Sequence, residues 1–431
     1  MITAHDGAVP SYETGTSLGS FADEIRQHET HNSLARQDPR NVPREHLRLD
    51  AIIVPASRPE WNLDQAITLA RATDCWLLIL CSRELRSTDA KRQLAARSYQ
   101  NAIVVDVPKG YSHELFHFPL LDSVRDELPP ARNFYTADIS IKRNIGLAIA
   151  RMMQWHHIFF LDDDIRDVSR SELRSTVDML SSFAAAGLLV TEYPDNSAVC
   201  HANRITGAPQ DVFVSGAALA VDATADIGFF PDIYNEDWLF LFDYAAEKRL
   251  GNSGFNVTQL CYDPFTNPRR AAWQEFGDVL AEGLYAMLHH GLAVDQATGE
   301  YWALFLEARR NFLEAITTRA QDSALENRDQ LVQSVKWALK SLQTIGPDLC
   351  ERYVCSWRAD LVDWTKRLTG IAAMPSIQAA LARLGLEPAG PANGAVGGVP
   401  SRRADAVMAG PVVIPRFESA SQIPALSFTP R

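Results

Sequence analysis

Phe159-Phe160-Leu161-Asp162-Asp163-Asp164-Ile165 is an apolar run that ends in three consecutive carboxylates. Adjacent like charges repel and raise one another's pKa, so such a turn is costly unless something neutralises it. A hard divalent cation does this. Mg2+ or Mn2+ prefers oxygen ligands and commonly takes one or two carboxylates together with substrate phosphate oxygens. An acidic turn capping a following helix is the alternative, because the helix dipole also favours carboxylates there. The apolar strand leading straight into the aspartates favours the cation.

Working outward, short apolar runs alternate with helical patterns from about Leu49. Strands are expected at Ala51–Val54, Cys75–Leu80, Ala102–Val107, Ile158–Leu161, Leu188–Thr191, Val212–Val221 and Val257–Tyr262. Helices are expected at Trp61–Thr73, Glu84–Tyr99, Ile139–Gln154, Leu173–Ala186 and Trp238–Leu250. Strands separated by helices imply an α/β fold with a mostly parallel sheet, whose ligands meet the carboxyl ends of the strands. After Tyr262 only helical patterns follow, at Trp273–His290, Tyr301–Thr317, Asp329–Leu342 and Leu349–Leu368. In the second, Trp302, Phe305, Leu306, Leu313 and Ile316 recur at three- and four-residue steps, as one buried stripe requires.

Three further segments carry chemistry. Ile52-Ile53-Val54-Pro55-Ala56-Ser57-Arg58-Pro59 is a strand ending in a polar turn, which can bring backbone groups and Arg58 against a nucleotide. Ile141-Lys142-Arg143-Asn144-Ile145-Gly146 precedes the acidic strand; Lys142 and Arg143 suit diphosphate oxygens, whereas the segment taken alone reads more readily as a solvated helix face. In Phe229-Phe230-Pro231-Asp232-Ile233-Tyr234-Asn235-Glu236-Asp237-Trp238, Asn235 is expected to cap a helix, placing Glu236 and Asp237 in its first turn. A carboxylate stays ionised there, as a general base must, although simple dipole compensation predicts the same pattern.

The ordered set of Val-Pro-x-x-Arg, Arg-Asn-x-Gly, Phe-Leu-Asp-Asp-Asp, Gly-Ala and Asn-Glu-Asp resembles GT-A glycosyltransferases of the large family that includes many polysaccharide synthases. It extends over roughly Leu49 to Leu250. The resemblance implies a Rossmann-like GT-A domain with a C-terminal helical subdomain, and a Mg2+ or Mn2+ site at Asp162 and Asp164. It implies donor contacts from Pro55, Ser57, Arg58, Lys142, Arg143, Asp162 and Asp163. Ser215-Gly216-Ala217 would lie beside the acceptor, and Asp237, next to Glu236, would take the acceptor proton in an inverting enzyme. The usual Arg and Lys of the acceptor segment are replaced by Leu219-Ala220-Val221-Asp222, so acceptor contacts do not carry over. Some GT-A enzymes use a His as a third metal ligand; His201, His289 and His290 are the candidates here.

The chain has 431 residues and a formal net charge of -12. That sign opposes non-specific binding to nucleic acid or anionic membrane, since both need clustered cations. No stretch has the length and apolarity of a membrane helix, and the N-terminus lacks a signal-peptide pattern. Six scattered cysteines without a Cys-x-x-Cys pair read as buried thiols in a reducing compartment, the cytoplasm. The expected organisation is a polar arm (1–48), the catalytic domain (49–265), a helical subdomain (266–387) and a Pro/Gly-rich tail (388–431). The tail carries too little apolar area to offset its ordering entropy.

Two patterns are set aside. His113-Glu114-Leu115-Phe116-His117 matches a zinc-protease motif, but Pro108, Gly110 and Pro119 leave barely two turns for the helix the motif needs. Glu275, Asp278 and Glu282 share one helical face opposite Phe276, Leu280 and Leu284, and are expected to be solvated or to face the cleft. The expected activity is sugar transfer from a nucleoside-diphosphate sugar to a small-molecule or glycan acceptor. A sugar-phosphate nucleotidyltransferase is disfavoured because the turn after the first strand has no Gly. A non-catalytic nucleotide-sugar-binding protein is the other alternative.

Overall fold

A computed structural model describes residue 27 and residues 30–37, 46–58, 63–128, 136–191, 197–209 and 211–389. Most of the predicted arm and nearly all of the predicted tail therefore lie outside the described residues.

Among the described residues nine strands form one sheet: β1 (Arg36–Gln37), β2 (Ala51–Ala56), β3 (Trp76–Cys81), β4 (Ala102–Asp106), β5 (His157–Leu161), β6 (Ile165–Arg166), β7 (Ala185–Thr191), β8 (Val214–Asp222) and β9 (Leu250–Gln259). The order is β1-β9-β7-β8-β5-β2-β3-β4, with the short β6 paired to β9. β8 runs antiparallel to both β5 and β7, and the other neighbours along the path pair in parallel. The architecture is therefore α/β with a mostly parallel sheet. Because β8 is reversed, its amino-terminal residues lie at the edge where the parallel strands end. That reversal is what brings Ser215, Gly216 and Ala217 beside Asp162.

The central strands are apolar on both faces, as expected for a sheet covered by helices on each side. Alternate residues enter different cores. Ile53, Leu78 and Phe160 belong to one, while Ile52, Val54, Leu77, Ile79 and Phe159 belong to the other. The second core is covered by α1 (Asp64–Thr73), α2 (Ser87–Ala96) and, after the short α3 (Pro119–Val124) and the long α4 (Thr136–Met152), by α5 (Arg170–Asp178). The first is covered by α4, α6 (Ala198–Ile205) and α7 (Glu236–Ala246). It continues without a break into α8 (Arg270–His289), α9 (Gly299–Gln321), α10 (Arg328–Leu342), α11 (Pro347–Thr369) and α12 (Ile377–Arg383). Tyr285 of α8 donates its hydroxyl to the Trp238 carbonyl at 2.9 Å, and the Trp364 indole of α11 donates to Ile227 and Gly228 carbonyls at 3.0 Å. These bonds tie the helical segment to the turn that begins α7.

Some sequence expectations shift. The helix predicted to reach Ala186 ends at Asp178, and Ala185–Thr191 is a strand between β8 and β9. Alanine's helix preference loses there to strand pairing and full burial. Strand β9 begins at Leu250 although its apolar signal begins only at Val257, because Gly, Asn and Ser in the first part of the strand hide that signal. The thiols are not uniformly buried: Cys75, Cys81 and Cys350 are, whereas Cys261 and Cys355 are exposed. Among the described residues, no helix is long and apolar enough to cross a membrane.

Candidate active site

The three aspartates lie just past β5 and make three different sets of bonds. Asp163 is buried and turns toward the end of β2. Its Oδ2 accepts the backbone N–H groups of Ser57 at 2.8 Å and Arg58 at 2.9 Å, and its Oδ1 accepts Arg58 Nη1 at 2.8 Å. It therefore fixes the polar turn after β2. Pro55 lies one step earlier, within β2 and paired in register with Leu80. Asp164 is held by β9: Gln259 Nε2 donates to its Oδ2 at 3.0 Å, and Leu260 N–H donates to its carbonyl at 3.0 Å. The β6–β9 pairing at Ile165 and Gln259 sets that contact. Arg58 Nη1 also reaches Asp164 Oδ2 at 2.5 Å.

Asp162 belongs to a second network. Its backbone N–H donates to the Ala217 carbonyl of β8 at 2.8 Å, and both carboxylate oxygens accept from Arg143 Nη2 at 3.0 and 3.1 Å. Arg143 Nη1 donates to Glu236 Oε1 at 2.6 Å. Burial pushes the Asp162 carboxyl up, with Arg143 pulling the other way. Burial likewise pushes Glu236 up to about 8, outweighing Arg143, with Asp237 adding to the rise. Next to Glu236, Asp237 Oδ2 accepts the Gly216 N–H of β8 at 2.8 Å, and its Oδ1 accepts the Trp238 N–H at 3.0 Å. A Cβ at Gly216 would sit 2.6 Å from Arg143 Nη1, so a side chain there would have to displace the guanidinium. Ser215 Oγ accepts the Ala217 N–H at 3.3 Å, closing the β8 side of the edge.

Lys142 and Arg143 differ from the expectation that they face a diphosphate. Both side chains are nearly fully buried and are engaged by protein atoms. Lys142 Nζ meets the Ala56 carbonyl at 3.1 Å, Ser82 Oγ at 2.9 Å and Asp138 Oδ2 at 2.9 Å, and burial lowers its pKa. On α4 the two residues point into the sheet edge, so they brace it from beneath. Arg58 is the contrasting cation, with a side chain 45% exposed.

Asn235 also departs from its expected role. It precedes α7 in the left-handed region (φ 63°) and makes no side-chain cap bond. Its amide instead donates to Asp278 Oδ1 at 3.0 Å. Asp278, Glu275 and Glu282 are not solvated: all three are buried around Arg309, which is itself fully buried. Arg309 reaches Glu275 at 2.9 Å, Glu282 at 2.9 Å and Asp278 at 3.2 Å. An apolar stripe on α8 suggested an opposite wet face, but α9 covers that face and supplies the cation. Cys200, Asp278 and Glu282 offer three potential ligand atoms close together, yet the arginine already sits among those carboxylates.

The histidines proposed as third ligands are engaged elsewhere. His289 Nε2 meets the Thr30 carbonyl at 2.7 Å, His290 Nδ1 meets Ala286 O at 2.7 Å, and His201 packs on Phe265 beside Arg204. In the zinc-like motif only Glu114–Phe116 forms a single tight turn. His113 Nε2 meets the Arg383 carbonyl, and His117 meets Asp122. One residue with no signal in the sequence is His31. It is buried against Phe213, Trp238 and Tyr285, with Nε2 at 2.5 Å from the Val214 carbonyl, and burial lowers it to about 4. Lying in the polar arm, it carried no periodicity to mark it.

No family model matches the chain, and neither does any curated protein. Among solved structures, it is similar to glucosyl-3-phosphoglycerate synthase from Mycobacterium tuberculosis in complex with phosphoglyceric acid, at 12% identity and TM-score 0.35. It is also similar to that synthase in complex with Mn2+, uridine-diphosphate-glucose and phosphoglyceric acid, at 12% identity and TM-score 0.34. Both matches cover 57% of this chain and 81% of the other. Likeness at this level assigns neither activity nor ligand to the chain. What fold and site define is an α/β protein whose carboxylates gather at the carboxyl edge of a mostly parallel sheet.

Proposed function

We propose that the chain is a GT-A-type, metal-dependent glycosyltransferase that uses a nucleoside-diphosphate sugar. One observation carries the reading. Asp162 and Asp164 after β5, Gly216 of β8 and Asp237 of α7 meet at one sheet edge, linked by the Asp162–Ala217 and Gly216–Asp237 bonds. That edge is where α/β sheets bind ligands.

Asp162 and Asp164 offer hard oxygen donors, which fit Mg2+ or Mn2+. Such an ion, when bound, offsets the charge developing on a departing nucleoside diphosphate. Asp164 is released for that task if Arg58, the exposed cation, swings from it onto the diphosphate. Arg143 stays in place and holds the Asp162 side chain. Asp163 keeps the Pro55–Arg58 turn against the acidic edge, with Ser57 presented toward the donor, and Lys142 braces the same turn through the Ala56 carbonyl. In an inverting enzyme Asp237 takes the acceptor proton, with the Gly216 N–H steadying its carboxylate. In a retaining enzyme Asp237 positions the acceptor. Ser215 to Ala217 form the neighbouring wall, and Glu236 keeps its proton at neutral pH beneath Asp237.

The second reading, a non-catalytic nucleotide-sugar-binding protein, is favoured by the pairing of Asp162 with Arg143 and of Asp163 and Asp164 with Arg58. A thermal-shift screen of nucleoside diphosphates and their sugars, with and without Mn2+, tests both. A site of this kind stabilises in proportion to ligand over its dissociation constant. Asp164→Asn should lose the Mn2+-dependent part. Equal shifts in that variant would exclude the ligand assignment. Metal-dependent binding with no sugar release across an acceptor screen would support the binder.

A further inference from the structure

A small cavity away from the acidic edge has a cationic rim. It lies where the segment leading into β2 crosses α5, and its volume is about 210 Å³. Leu49, Leu173 and Val177 form an apolar floor and are buried. His46, Arg48, Arg170 and Arg174 form the rim, and among the described residues no acidic side chain lines the cavity. None of these residues takes part in the site proposed above.

The walls are fixed. Asp178 at the end of α5 accepts the Leu47 N–H at 2.9 Å and meets His46 Nδ1 at 2.9 Å, so the incoming segment is clamped on the helix. Arg170, Leu173, Arg174 and Val177 stand at helical spacing, and therefore share one face. Among the described residues neither Arg170 nor Arg174 is ion-paired with a carboxylate, and Arg48 reaches Asp50 only at 3.9 Å. Like charges four residues apart on a helix destabilise it slightly, a cost that an anion between them removes. Concentrating cations over an apolar floor is unexpected on a chain of net charge -12.

We propose that this cavity is a second ligand site, taking a small organic phosphate monoester with its phosphate among the arginines and its apolar body on the leucine–valine floor. A guanidinium recognises phosphate oxygens through a fork of hydrogen bonds. The cavity volume is below that of pockets built for drug-sized molecules, which limits the ligand to a small one.

The test is thermal unfolding of the full chain in EDTA with phenyl phosphate, inorganic phosphate or phenol, each at ionic strength matched with sodium chloride. Phenyl phosphate should raise the melting temperature saturably, by about 1–2 °C at tenfold excess over its dissociation constant. Inorganic phosphate should do so only at higher concentration, and phenol not at all. The double variant Arg170→Ala/Arg174→Ala should lose the shift while melting as wild type without ligand. Arg174→Glu, a charge reversal at an exposed position, serves if the double variant folds poorly. No shift in the wild type, or an undiminished shift in these variants, would overturn the proposal. An inorganic phosphate response equal to that of phenyl phosphate would overturn the role given to the apolar floor.

Discussion

Arg143 and Glu236 are joined by a hydrogen bond of 2.6 Å that lies almost wholly out of solvent. Through it α4 is fastened to the start of α7, while the other arm of the same guanidinium holds Asp162 after β5. One buried side chain thus sets the relation between the proposed metal ligands and the proposed base.

Replacing that side chain should be costly. Arg143→Met leaves the largely enclosed Asp162 without its bonded cation and the buried Glu236 without its donor, and should destabilise the protein by about 3–5 kcal/mol in denaturant unfolding. A loss below about 1 kcal/mol would mean that water or another cation takes over.

Glu236 gives a pH dependence of known sign. Its folded pKa of about 8 lies above the ordinary 4.5, so the folded state binds the proton more tightly than the unfolded chain. The stabilisation is complete below pH 4.5 and is lost as pH rises through 8. The slope between is at most about 1.4 kcal/mol per pH unit. Denaturant midpoints measured from pH 5 to 9 should fall less steeply in Glu236→Gln than in wild type.

Arg309 bonds to Glu275, Asp278 and Glu282 together. Arg309→Met should cost about 3–5 kcal/mol in urea unfolding, because it strands buried carboxylates. The Asn235–Asp278 bond makes the turn before Asp237 part of the same unit. Nucleotide-induced stabilisation should therefore weaken as well.

Gly277 lets α8 lie directly on the Tyr234 backbone. A Cβ there would stand 2.1 Å from the Tyr234 carbonyl oxygen. Alanine would favour the helix by about 1 kcal/mol on propensity alone. Overpacking against backbone costs about 1–3 kcal/mol, so Gly277→Ala should be destabilising on balance when its denaturant midpoint is measured.

The fold was legible where apolar runs were unbroken. β2, β3 and β5 are apolar on both faces, and their alternation between two cores follows from the period of a strand. Strand β9 was half hidden because its Gly, Asn and Ser residues resemble a loop, and its pairing comes from neighbours remote in sequence. In the site, the residue types were visible but not their directions. Lys142 and Arg143 looked like surface cations because charge alone does not reveal which helix face is covered. Asp163 looked like the middle of a metal motif, and its bonds to Ser57 and Arg58 arise only once β2 and β5 pair. The Arg309 cluster was missed because its cation lies on a different helix from its carboxylates.

The account rests most directly on where a cation binds. Crystals soaked with Mn2+ and a nucleoside diphosphate, examined by anomalous scattering, should show manganese about 2.1 Å from carboxylate oxygens of Asp162 and Asp164. Arg58 should then have left Asp164 for the diphosphate. Manganese among Cys200, Asp278 and Glu282 instead, or a nucleotide bound elsewhere with Arg58 still on Asp164, would contradict it.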